Sequence, residues 1–327
     1  MSKTAFVTGG TGFLGMNLLH TLCEQGWELS VLHRPSSELK YIKHLPIKLV
    51  EGSLTDKASL EAGIPQGTEV VFHIAGDTNM WRPNNDRQTL INVEGTRNLV
   101  EVAAAQNVKI FIHTSSVSAW GDVKGMIDES VPQRGNESWI NYEKTKWAGE
   151  QAALKGRELG LKVVVINPAA IVGPRDIHTW GQMFFALKAN KIPGIPAGNN
   201  SYVHVDDVVA AHIAAVDKGQ DGQRYIVSGE NAPLKTLVSE IAQSMGISKI
   251  PRQIPAPLLK LIAGLSYLGG RIINKEPTIT PEIADFMSRK DYAFDNSKAL
   301  RELGYEMRPW REGVTANYEW LKAEALL

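Results

Sequence analysis

Tyr142 and Lys146 stand four residues apart in Tyr142-Glu143-Lys144-Thr145-Lys146. On a helix that spacing sets both side chains on one face. A phenol, with an ordinary pKa of ~10, is a poor acid–base group at neutral pH. An ammonium beside it favours the phenolate and lowers that pKa. The same lysine is suited to hold ribose hydroxyls of a bound cofactor. A complementary donor stands in His113-Thr114-Ser115-Ser116-Val117, where Ser116 precedes Tyr142 by 26 residues. A serine at the carboxyl end of a parallel strand faces the crevice in which ligands bind, and its hydroxyl can donate to a carbonyl oxygen. Each motif alone also fits an ordinary lysine-rich helix or a capping serine.

A second feature opens the chain. Val7-Thr8-Gly9-Gly10-Thr11-Gly12-Phe13-Leu14-Gly15 lies between a strand-like run and a helical pattern. Gly10, Gly12 and Gly15 fit GxGxxG, and Gly9, Gly12 and Gly15 fit GxxGxxG. Both read as a dinucleotide loop, because glycine permits a tight turn and a close approach of backbone to pyrophosphate. The helix start at Phe13 and Leu14 then offers free N–H groups to the phosphates. NAD and NADP are told apart at the end of the second strand. An acid there binds the ribose 2′-hydroxyl of NAD, but this chain has Val31-Leu32-His33-Arg34-Pro35-Ser36-Ser37, with no carboxylate before Glu38. Arg34 offers a forked guanidinium to a 2′-phosphate, with Ser36, Ser37 and Lys40 as further donors. NADP (NADPH) is the expected cofactor and NAD the alternative.

The elements that must position these residues follow from periodicity. Strands are expected at Ala5–Thr8, Leu29–His33, Ile47–Glu51, Val70–Ala75, Ile110–Thr114 and Val163–Asn167. Helices are expected at Gly12–Gln25, Thr55–Gly63, Thr89–Gln106 and Tyr142–Glu158. Strands alternating with helices give βαβ units, so the expected fold is α/β, a doubly wound parallel (Rossmann) sheet. After Pro168 the chain becomes rich in Pro and Gly and reads as a smaller, mixed α/β substrate domain. Ser201–Val216 gives a strand-then-helix signal that returns to the main sheet, with Asp206 or Asp207 as the helix cap. The expected boundaries are 1–171 plus about 202–229 for the dinucleotide domain, and about 172–201 plus 230–327 for the substrate domain.

Composition removes several classes of function. The 327 residues hold 35 Lys+Arg and 35 Asp+Glu, 43% hydrophobic and 21% charged residues, an ordinary globular balance. Zero net charge argues against a nucleic-acid surface. The lone Cys23 excludes an internal disulfide and a Cys-rich zinc site, and it suits a reducing, cytoplasmic compartment. His73, His113, His178, His204 and His212 show no metal-ligand spacing and are expected to be structural, so no metal is expected. No leader opens the chain and no run is long enough for an integral membrane span. The nearest, Pro257–Gly270, reads as a buried or lid-forming helix ahead of a membrane-surface one; a homodimer surface is a further use for it.

Taken together these residues resemble the extended short-chain dehydrogenase/reductase family, on Thr8-Gly9-Gly10-Thr11-Gly12-Phe13-Leu14-Gly15, Val71-Phe72-His73-Ile74-Ala75, Asn92-Val93-Glu94-Gly95-Thr96, Thr114-Ser115-Ser116, Tyr142 with Lys146, Asn167-Pro168 through Gly173-Pro174, and Tyr202-Val203-His204-Val205-Asp206-Asp207-Val208. The pattern is most similar to the dihydroflavonol-reductase-like and epimerase/dehydratase branches. The resemblance implies Tyr142 as proton donor, Lys146 as its partner and ribose ligand, and Ser116, rather than Ser115, as the carbonyl-orienting donor. It implies that Asn92 braces the active-site helix or a water near Lys146, that Ala75 and Gly76 pass over the cofactor backbone, and that Pro168 and the residues after it line the nicotinamide. Ser53, beside Leu54, stands where many members carry an adenine-binding Asp. Trp120 stands where a Tyr is frequent, and Asn167 where sugar-nucleotide enzymes usually have Arg. Trp81, Trp120 and Trp180 lie in segments that the family uses as pocket walls. The implied activity is NADPH-dependent reduction of a small-molecule ketone or aldehyde; the alternative is a sugar or nucleotide-sugar epimerase or dehydratase using NAD, with Arg82 as a phosphate contact.

Overall fold

A computed structural model describes residues 3–327. The central sheet has seven strands in the order β11-β7-β5-β4-β1-β2-β3. Here β1 is Thr4–Thr8, β2 Glu28–His33, β3 Lys48–Glu51, β4 Val70–His73, β5 Ile110–Thr114, β7 Lys162–Pro168 and β11 Arg224–Val227. All six pairings are parallel. Three smaller sheets hold the rest: β8 (Ala170–Val172) with β10 (Asn199–His204) and β12 (Glu230–Pro233), β6 (Gly125–Ile127) with β14 (Tyr292–Phe294), and β9 (Ile195–Pro196) with β13 (Gln253–Ile254).

The helices are α1 Phe13–Glu24, α2 Lys57–Gly63, α3 Asn85–Thr89, α4 Gly95–Ala105, α5 Asn141–Leu154, α6 Gln182–Lys188, α7 Val205–Asp217, α8 Leu234–Ser244, α9 Ala256–Ile272, α10 Pro281–Phe286, α11 Ser297–Leu303 and α12 Trp310–Ala323. Strand side chains alternate between two faces, and each face carries its own core. Ala5, Val7, Phe72, Ile112 and Val164 pack against α1, α7 and α11, while Phe6, Val71, Phe111 and Val163 pack against α2, α4 and α5. Burial on both faces explains why these strands read as continuous apolar runs. A third core joins β8, α6, α8 and α12.

Three expectations are corrected. The helix expected from Thr89 starts at Asn85 and passes through a single π turn, Leu90–Glu94, before α4. The cap of α7 is neither Asp206 nor Asp207 but His204, whose Nδ1 accepts from the Asp206 N–H at 3.1 Å. Asp207 is instead buried against Arg308, accepting from its backbone N–H at 2.8 Å and its Nη1 at 2.6 Å. Finally, α9 is not buried: Leu259, Ala263 and Gly270 face the protein, but five leucines and isoleucines on its other side are 45–84% exposed.

Candidate active site

The turn between β1 and α1 distinguishes the overlapping glycine patterns. Gly9 has φ +76°, and a Cβ there would stand 2.5 Å from the Ala75 nitrogen. A Cβ on Gly15 would stand 2.0 Å from the Gly9 carbonyl oxygen, and one on Gly12 3.3 Å from the same atom. A Cβ on Gly10 would stand 2.5 Å from Val31 Cγ1 inside the fold, so its constraint comes from packing. The spacing Gly9, Gly12, Gly15 therefore carries the turn. Helix α1 begins with no side-chain cap and no acid in its first turn. The N–H groups of Phe13, Leu14 and Gly15 have no helical partner, and such a cradle fits a pyrophosphate.

Behind this turn the chain segments lock together. Thr8 Oγ1 contacts His73 Nδ1 at 2.8 Å, His73 Nε2 contacts Thr96 Oγ1 at 2.9 Å, and Thr96 donates to the Asn92 carbonyl at 2.7 Å. Because Thr96 spends its proton on Asn92, the network assigns the His73 proton to Nε2. Asn92 Oδ1 accepts from the Asp77 N–H at 2.7 Å, and its Nδ2 donates to the Asp77 carbonyl at 2.9 Å and to Thr145 Oγ1 on α5 at 3.0 Å. Asn92 thus ties the segment after β4 to the helix that carries Tyr142. It sits in the π turn, a feature often found at functional sites.

Ser116 stands just past the end of β5, and α5, which carries Tyr142 and Lys146, packs beside it. Ser116 caps the turn Val117–Trp120, accepting from the Ser118 N–H and donating to Ser118 Oγ, both at 3.1 Å. The Tyr142 phenol faces the Ser116 and Ser118 hydroxyls. Ser115 points elsewhere, toward the Lys146 carbonyl. Lys146 Nζ donates to the Thr114 carbonyl at 2.9 Å, and a Cβ on Gly76 would lie 3.9 Å from it.

The electrostatics differ from the simple tyrosine–lysine expectation. Burial raises the Tyr142 pKa, opposed in part by the two serine hydroxyls, so the phenol is held protonated. Burial also lowers Lys146 to about 8, against the attraction of Glu150. Burial pushes His73 to about 3 and His212 to about 4, and holds His113 well below its usual value. These imidazoles are neutral at physiological pH. Among the described residues no group of His, Cys, Asp and Glu forms a metal site.

Other expected residues are placed as follows. Arg34 is exposed, and its guanidinium has no side-chain partner among the described residues. Ser37 Oγ accepts from the Arg34 N–H at 3.1 Å, but Lys40 is taken by Glu324 at 2.8 Å. Ser53 Oγ lies 2.9 Å from Thr55 Oγ1, and Leu54 is in the core beneath α4. Pro168 is buried at the end of β7.

Trp81 is buried with an unpartnered Nε1, and Trp180 packs edge-on against Tyr202. Trp120 is corrected: it is wholly buried, donates Nε1 to the Val131 carbonyl at 2.8 Å and belongs to a core cluster, so it has no face for a substrate. Arg82 is not a free phosphate contact. Its Nε meets Glu282 at 2.5 Å, and its guanidinium lies over the rings of Trp139 and Tyr267.

Three contributors escape sequence reasoning. Ser118 joins the phenol cluster; the Ser-x-Ser spacing is its only signal. Glu143, adjacent to Tyr142, is fully buried, accepting from Arg289 Nη1 and Ser138 Oγ, each at 2.5 Å. Asn167 Nδ2 reaches both the Ser116 carbonyl and Glu150, which Arg224 and Gln133 also bind. Arg289 lies 146 residues from Glu143 in the chain, so no local pattern announces the pair.

Comparison with known proteins places the chain in a family. The family model described as NAD dependent epimerase/dehydratase matches residues 5–228. A Synechocystis sp. protein carried as a candidate dihydroflavonol 4-reductase is 30% identical, over 98% of this chain and 95% of its own. The Arabidopsis thaliana 3beta-hydroxysteroid-dehydrogenase/decarboxylase isoform 1 is 31% identical, over 97% of this chain and 80% of its own. The crystal structure of gox2253 superposes with a TM-score of 0.84 at 34% identity, each chain fully covered.

Proposed function

This chain belongs to the NAD dependent epimerase/dehydratase family, and on that premise we propose that it reduces a ketone or aldehyde to an alcohol with NADPH. What supports the reading is the placement of Tyr142 on α5 beside the turn that Ser116 caps, where burial favours the neutral phenol. Reduction needs a proton for the carbonyl oxygen, and a neutral phenol supplies one. When bound, NADPH supplies the hydride that the carbonyl carbon accepts.

The rest is done by side chains of this chain. Ser116 Oγ donates to the carbonyl oxygen and polarises it. Tyr142 passes its proton to that oxygen. Lys146, charged below pH about 8, stabilises the phenolate that remains. Gly9, Gly12 and Gly15, with the N–H groups of Phe13 and Leu14, hold the pyrophosphate. Ala75, Gly76 and Pro168 line the cofactor's path, and Asn92 fixes Gly76 over Lys146. Arg34 and Ser36 take the 2′-phosphate, while Ser53 takes the adenine end. Trp81, with its free indole N–H, and Trp180 are the aromatic walls for the substrate. The steroid-acting name of one relative and these aromatics favour a large apolar ketone. The engagement of Arg82 by Glu282 counts against a nucleotide-sugar diphosphate at that position.

The test is NADPH oxidation against a panel of ketones, with the Tyr142→Phe variant alongside. Turnover by the wild-type protein and its loss in the variant, at unchanged NADPH affinity, is the expected result. Epimerisation of a sugar without net cofactor consumption overturns the reading.

A further inference from the structure

Helix α9 presents Leu258, Leu261, Leu265, Leu268 and Ile272 in one row of solvent-exposed apolar side chains, with Ile273 beyond its end. The spacing of three and four residues keeps them on one face, and the helix packs on α10 through the opposite side, at Leu259, Ala263 and Ala284. A contiguous exposed apolar face of this kind marks an interaction surface.

Charge chooses its occupant. From Met245 to Lys275 the chain carries Lys249, Arg252, Lys260, Arg271 and Lys275 and no Asp or Glu, in a protein whose net charge is zero. Lys260 is paired with Asp285 at 2.7 Å, but among the described residues Lys249, Arg252, Arg271 and Lys275 have no acidic partner and outnumber the nearby Glu276, which Asn79 binds at 2.7 Å; Glu282 is engaged by Arg82. An anionic surface meets both the leucine row and the cations.

We propose that α9 docks this protein on an anionic phospholipid bilayer, lying in the headgroup plane with its leucine row inserted. Seventeen residues are too few to cross the bilayer, and among the described residues no helix is long and apolar enough to do so. Docking here has a geometric consequence for the site. Tyr267 of α9 lies over Arg82, and Thr280 donates to the Met80 carbonyl at 2.8 Å. The loop that runs on from Gly76 and carries Trp81 is therefore held against the side of α9 that faces away from the leucine row, so docking leaves it in place between the helix and the crevice. The docking does not depend on which reaction the site performs.

The experiment is co-sedimentation of the full chain with vesicles of phosphatidylcholine alone and of phosphatidylcholine containing about one third phosphatidylglycerol, with light scattering of the free protein in parallel. The expected result is binding to the anionic vesicles, weakened by high salt. It should fall roughly tenfold or more in Leu261→Ser/Leu265→Ser/Leu268→Ser, and also in Arg271→Gln/Lys275→Gln. These side chains face solvent, so thermal melting of both variants should match the wild type, which keeps the outcome separate from misfolding. Equal binding of the wild type and the leucine variant overturns the proposal, as does absence of binding to either vesicle. A dimer that the leucine substitutions dissociate overturns it as well, by assigning the face to a second copy.

Discussion

The Asn167 side chain donates to the Ser116 backbone carbonyl at 3.2 Å and to the buried Glu150 at 2.9 Å. The turn that presents Ser116 to Tyr142 is thereby fixed to α5 from below, through a carboxylate that also attracts Lys146. Asn167→Ala is predicted to cut kcat by roughly tenfold, about 1.4 kcal/mol, with KM nearly unchanged. Steady-state kinetics separates the two; a change in KM alone removes the positioning role.

Removing the Ser116 hydroxyl takes away one donor to the developing oxyanion and one contact of the phenol. Ser116→Ala is predicted to lower kcat by about ten- to a hundredfold, whereas Ser115→Ala, whose hydroxyl points at the α5 backbone, has little effect. Equal losses in the two variants would mean that the serine assignment is wrong.

Glu143 and Arg289 form a buried ion pair beside Tyr142, braced by Ser138 and the Gly121 carbonyl. Glu143→Ala removes the close partner of a buried guanidinium, leaving only Asp122 at 3.5 Å and Asp285 at 3.6 Å, and is predicted to destabilise by about 3 kcal/mol. Replacing both partners with apolar residues costs less. Urea unfolding of the single and double variants checks this; additive losses contradict it.

Arg34 is exposed and uncommitted, in the position where an acid would select NAD. Arg34→Glu is predicted to weaken NADPH binding by roughly ten- to a hundredfold while leaving NADH nearly unaffected. Fluorescence titration of both nucleotides reports it, and a parallel weakening of both would remove Arg34 from the 2′-phosphate site.

The buried imidazoles give the fold an acid limit. His73 and His212 titrate at about 3 and about 4, below the unfolded value of ~6.5. Below that value the unfolded chain binds protons that the folded chain does not, so stability is full above pH ~6.5 and falls as pH drops toward the folded values. Each such histidine contributes up to about 1.4 kcal/mol per pH unit. His212→Gln is predicted to flatten the slope of unfolding free energy with pH by about that amount. An unchanged slope would mean that His212 is charged in the fold.

The glycine turn after β1, the seven-strand sheet and the helix that carries Tyr142 and Lys146 were legible because each rests on local chemistry: positive φ at Gly9, apolar runs along β1 and β4, helical spacing along α5. What failed rests on distant partners or on a choice of face. Periodicity marks α9 as amphipathic but does not say which side meets the protein. The α7 cap depends on where the chain turns, which places His204 rather than an Asp at that position. Trp120 reads as a pocket aromatic until β6 and β14 close over it. The phenol reads as acidified by Lys146 until burial is counted, and burial acts in the opposite direction on both groups.

The central claim is that Tyr142 protonates a carbonyl oxygen during NADPH-dependent reduction, and deuterium tracing tests it most directly. With NADPH deuterated at nicotinamide C4 and a panel of apolar ketones, the wild-type protein should yield an alcohol carrying deuterium on the former carbonyl carbon. Tyr142→Phe should bind the nucleotide equally well and lose the product signal by about a thousandfold or more. Undiminished deuterium transfer in Tyr142→Phe, or an enzyme that keeps NAD through purification and inverts a sugar without consuming it, would contradict the account.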